Sequence, residues 1–75
     1  MITSYYDAQL ALEKEGYKIA GRTIFGDTTV SIHISYYSID ASAKLDALQK
    51  VVGDNFQCYY DSNECKIFIT KKKKC

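Results

Sequence analysis

From Thr28 to Tyr37 the chain alternates without interruption. Val30, Ile32, Ile34 and Tyr36 fall on one parity, and Thr29, Ser31, His33, Ser35 and Tyr37 on the other. Successive side chains of a strand point to opposite faces, so a period of two over this length describes a strand with one face in a core and the other turned away from it. Gly26-Asp27, just before it, suits a two-residue hairpin turn of the Gly-x type, which makes Tyr17–Phe25 the antiparallel partner. A lone hairpin is not stable in water, so the rest of the chain has to cover its apolar face.

Two helices can do this. Ser4 with Asp7 three residues on resembles a capping box, and Tyr5, Ala8, Ala11 and Leu12 form an apolar stripe. Gly16 suits the left-handed position that closes a helix. After Tyr37 the order repeats. Ser38 or Asp40 caps a second helix, whose stripe is Ala41, Leu45, Leu48 and Val52, and Gly53 ends it. Phe56–Tyr60 is a third strand, Asp61-Ser62-Asn63-Glu64 a turn, and Cys65–Thr70 a fourth strand. Corresponding landmarks lie 34 to 37 residues apart (Ser4 with Ser38, Gly16 with Gly53), but residue identity between the halves is low.

The pattern predicts one α+β domain over residues 1–70, in two helix-hairpin halves (4–37 and 38–70), with 71–75 as a flexible basic tail. At 75 residues with 47% hydrophobic content there is material for one core, and little for a deep catalytic cleft. The cheapest burial for both stripes is a two-layer sandwich, αββαββ, with two helices on one face of a four-stranded antiparallel-rich sheet. One such topology is a ferredoxin-like unit permuted so that its first strand comes last. A sheet completed by a second copy of the chain is the other way to satisfy the pattern.

With both helices on one face, parity says what the opposite face shows. Tyr37 and His33 come from the second strand, Phe68 and Lys66 from the fourth, and Tyr59 from the third, if Tyr60 pairs with Cys65 and Tyr59 with Lys66. With Tyr17 and Ile19 inward, Lys18 and Arg22 face out from the first strand, where Ile24 breaks the alternation. The expected site is thus Tyr37, Tyr59, Phe68, His33, Arg22, Lys18 and Lys66. The tyrosine doublets are split accordingly: Tyr36 and Tyr60 hold the core, Tyr37 and Tyr59 look out, and Tyr5 packs inward from the first helix.

Exposed aromatics with nearby cations serve two classes of partner. They suit a protein interface, where Tyr, Phe and Arg carry much of the energy, including a homodimer with two open faces apposed. They also suit single-stranded nucleic acid, whose bases stack on rings while Lys and Arg meet phosphate. Charge weighs against the latter. Residues 1–70 hold six basic groups (Lys14, Lys18, Arg22, Lys44, Lys50, Lys66) against nine acidic ones, a net −3, and the cationic surplus is confined to Lys71–Lys74. That short run can attract phosphate weakly and so add to the same face in a nucleic-acid reading; it equally well keeps the last strand from pairing with a neighbour.

Catalytic patterns do not assemble. His33 is the only histidine, and Ser31 and Ser35 stand roughly 6.5–7 Å from it along the strand, with no carboxylate placed to orient the ring. No glycine-rich phosphate loop or zinc spacing occurs, so no cofactor or metal is expected. Cys58 and Cys65 read as buried reduced thiols and Cys75 as a free thiol on the tail, which with the odd count and the lack of a leader or membrane-length apolar run points to a reducing, cytoplasmic setting.

Leu12-Glu13-Lys14-Glu15-Gly16-Tyr17 followed by two strands resembles the helix-to-strand passage of the small HicA-like ribonuclease toxins. The resemblance covers only the first helix-hairpin half. The Gly-Ser-His stretch that carries those enzymes' catalytic histidine is missing, since His33 lies mid-strand, so the likeness implies no activity here. The reading from sequence is a non-enzymatic protein-binding module, an adaptor or an inhibitor; phage-encoded inhibitors of host defence are one class of such small domains.

Overall fold

A computed structural model describes residues 2–36 and 41–72. Two helices and a four-stranded antiparallel sheet form the expected α+β domain: α1 (Tyr5–Lys14), β1 (Gly21–Phe25), β2 (Thr28–Ser35), α2 (Ala41–Val52), β3 (Phe56–Asp61) and β4 (Lys66–Lys71). The strand order is β1-β2-β4-β3, so β4 fills the gap left by the α2 crossover from β2 to β3. Tyr37 and the expected caps Ser38 and Asp40 lie outside the described residues, as do Lys73, Lys74 and Cys75.

Local chemistry sets most element ends. The Ser4 hydroxyl accepts from the Asp7 amide at 3.1 Å and caps α1. At the other end Gly16 takes φ +94°, its amide donates to Glu13 O, and the Tyr17 amide reaches back to Leu12 O, the Schellman pattern. Gly26 (φ +64°) turns β1 into β2 with Phe25 opposite Thr28, as the Gly-x turn requires.

The core is Ala8 and Leu12 of α1, Leu48 and Val52 of α2, Ile32 and Ile34 of β2, Phe56 of β3, and Ile67 and Ile69 of β4. Both helices therefore pack on one face of the sheet. A phenylalanine buried as fully as Phe56 is worth about 3–5 kcal/mol against alanine. Gln49 anchors the approach to it: its Nε2 donates to Gly53 O and to Phe56 O, both at 2.7 Å. Tyr36 and Tyr60 pack against this core edge to face, with ring centroids 6.4 Å apart, and Tyr5 meets Phe56 the same way at 5.3 Å.

Several expectations are corrected. β1 begins at Gly21, and Tyr17–Ala20 precedes it outside the sheet. The Ala20 amide donates to His33 O although Gly21 is the register partner of His33, so two residues stand against one, as in a β-bulge. The extra residue reverses the parity: Tyr17 and Ile19 pack on the core, and so does the side of the strand that carries Arg22, which pairs with Ile32. A second irregularity skips Val30, which is exposed instead of joining the core.

The last hairpin pairs Tyr60 with Ile67 and Tyr59 with Phe68, two residues away from the expected register. A slip of two preserves every face. It moves Cys65 out of the strand into the turn, with φ +54°, so Cys65 is not a core thiol. The basic run begins inside β4, with Lys71 in the strand and the Lys72 amide bonded to Asn55 O.

Candidate functional site

On the sheet face without helices, one register row crosses all four strands: Gly21 of β1, His33 of β2, Phe68 of β4 and Tyr59 of β3. Tyr59 and Phe68 stack at 5.3 Å with their planes 18° apart, and Phe68 meets His33 at 5.4 Å, tilted 53°. Three rings thus form a continuous strip. Tyr36 N–H donates to Cys65 O, which makes the pair His33–Phe68 a non-hydrogen-bonded one, the kind that brings facing side chains closest.

Gly21 completes the row by having no side chain. The His33 imidazole lies across it, and a Cβ at Gly21 would stand 2.7 Å from His33 Cε1 and 2.8 Å from Nε2. His33 Nδ1 is buried there and has no hydrogen-bond partner among the described residues. Burial, and then the Lys66 ammonium, hold the His33 pKa below its ordinary value, with Glu64 pulling the other way. With its pKa held down, the ring is uncharged at neutral pH and sits in the strip as a neutral imidazole.

Polar rows flank the strip. Ser35, Lys66 and Asp61 pair on one side. The Asp61 carboxylate is occupied at the turn, where Oδ1 accepts from the Asn63 and Glu64 amides. On the other side Val30, Gln57, Tyr59, Thr70 and Lys72 line a shallow concavity. Ser31, expected on this face, is only 6% exposed.

Of the expected site residues, His33, Phe68, Tyr59 and Lys66 come together. Arg22 does not: its guanidinium donates to Gln9 of α1 on the helix face. Lys18 is exposed in the segment before β1, near Tyr17, Ser35 and Tyr36 and off the ring row. Tyr37 lies outside the described residues. Sequence reasoning missed Gly21 and Val30, and placed Lys72 in a basic tail instead of beside the strip. The glycine is silent in an alternation count because it has no side chain to count, and Val30 was assigned to the core by a parity that the bulge interrupts.

No family model matches the chain, and no curated protein or solved structure matches it either. Among the described residues no three His, Cys, Asp or Glu side chains gather to hold a metal ion, and no helix is long and apolar enough to cross a membrane.

Proposed function

We propose that the protein is a small non-enzymatic binding module, an adaptor or inhibitor in a reducing, cytoplasmic setting, that holds a protein partner on the ring strip of its helix-free sheet face. The observation that carries this reading is the unbroken row His33–Phe68–Tyr59, with Tyr59 47% exposed at its end. Stacked rings fixed by cross-strand packing present apolar area at little entropic cost, which is what interface hot spots supply. Arg22 is turned to the helix face and the Lys71 ammonium lies over the Tyr5 ring, so among the described residues Lys66 and Lys72 are the cations left beside the strip, a thin provision for a phosphate backbone.

The test uses the reduced protein as bait in lysate of the source cell, with Tyr59→Ala beside the wild type. A partner held by the wild type and weakened by about 2 kcal/mol, roughly thirty-fold, on Tyr59→Ala supports the reading. A partner indifferent to Tyr59→Ala and Phe68→Ala overturns it. Salt-sensitive binding of single-stranded RNA that Tyr59→Ala abolishes would replace it with the nucleic-acid reading.

A further inference from the structure

Four of the six large exposed hydrophobics among the described residues gather at the β1 edge: Ile24 (61% exposed) and Phe25 (80%) on the strand, Tyr6 and Leu10 on α1. Tyr6 and Leu10 flank Gln9, which reaches down to Arg22, so that side of α1 overhangs β1. β1 is an outer strand of the sheet, and the one charged side chain on it, Arg22, is turned to Gln9 of α1.

The free edge has a definite hydrogen-bonding pattern. Ile32 belongs to the residues of β2 whose backbone groups point at β4, because Tyr36 on the same parity donates to Cys65 O. Arg22, opposite Ile32, therefore turns its amide and carbonyl away from β2. Phe25 and Thr28 close the two-residue hairpin as a bonded pair, so Ile24 also turns its groups outward. The edge thus offers two donors and two acceptors, at Arg22 and Ile24, centred on Thr23.

We propose that β1 pairs antiparallel with β1 of a second copy of this chain about a two-fold axis at Thr23, making an eight-stranded continuous sheet. Arg22 then bonds to Ile24 of the second copy and Ile24 to its Arg22, four hydrogen bonds that use every outward group. The register sets each arginine opposite an isoleucine instead of its own copy, and each guanidinium stays turned to its own Gln9. Thr23 faces Thr23, a favourable cross-strand pair. Gly21 faces Phe25 of the second copy, so the row Tyr59–Phe68–His33–Gly21 continues into a fifth position with an aromatic ring on the side where Gly21 has none. On the helix face Tyr6 and Leu10 of the two α1 helices come together over the joint. The dimer holds whether or not the ring strip binds a partner.

The experiment is sedimentation equilibrium of the reduced full chain from micromolar to submillimolar concentration, with amide exchange read at Arg22 and Ile24. A dimer is expected, with both amides slowed as concentration rises. Thr23→Lys, at an exposed position, sets like charges face to face and gives a folded monomer by circular dichroism; an equimolar mixture with Thr23→Glu restores the dimer. A wild-type chain that stays monomeric throughout overturns the proposal. So does a dimer that folded Thr23→Lys leaves intact, and so does protection of Arg22 and Ile24 by a foreign peptide in a strictly monomeric protein.

Discussion

The Cε1–Nε2 edge of the His33 imidazole occupies the space that any side chain at Gly21 would need. The contact joins β1 to the ring strip and accounts for a glycine in a strand, where it otherwise weakens pairing. Gly21→Ala should push His33 off the row with a small effect on stability, within about 1 kcal/mol, because the clash falls on the movable end of a side chain. The His33 ring protons should shift in the NMR spectrum, and its pKa should move up toward the ordinary value as Nδ1 reaches water. An unchanged His33 resonance would disprove the contact.

His33 also gives a pH dependence with a definite sign. Its folded pKa is depressed from the unfolded value of 6.5, by burial first and Lys66 second. The unfolded chain therefore binds the proton more readily, and stability falls as pH drops through 6.5 and levels off below the folded pKa. Chemical denaturation between neutral and mildly acid pH should show this loss, and His33→Phe should remove that component. A wild-type midpoint that rises on acidification across this window would contradict it.

Tyr5 does more than pack. Its hydroxyl donates to Val30 O at 2.7 Å and accepts from the Lys71 amide at 2.8 Å. Those two groups would bond each other if the β2–β4 ladder ran on past Ile32 and Ile69; the phenol stands between them where the strands part. Tyr5→Phe leaves both without that partner and should cost about 1–3 kcal/mol. The measurement is a denaturation curve with amide exchange at Lys71, which should accelerate well beyond the exchange of neighbouring β4 amides.

Burial pushes the Cys58 thiol up to about 11. The thiolate is the reactive form, so Cys58 should resist iodoacetamide at neutral pH in the folded protein and react on denaturation. Cys65, in the turn with its thiol near Ser62 O at 3.7 Å, should alkylate before Cys58. Peptide mapping after brief labelling distinguishes them, and labelling of Cys58 ahead of Cys65 would count against the assignment of Cys58 to the core side.

The sequence by itself determined whatever a few neighbouring residues decide. Ser4 and Gly16 bound the first helix, Gly26-Asp27 turns the first hairpin, and the alternation of β3 and β4 sends Tyr59 and Phe68 out and Tyr60 and Ile67 in. A register two residues off left those faces intact, because the period is two. Only the tertiary structure decided where the alternation fails. Ala20 and Gly21 share His33, and Val30 is passed over; both departures belong to the pairing of β1 with β2, which the alternation of a single strand does not specify. That is why Arg22 turns to Gln9 while Gly21, which no pattern singles out, becomes the floor for His33.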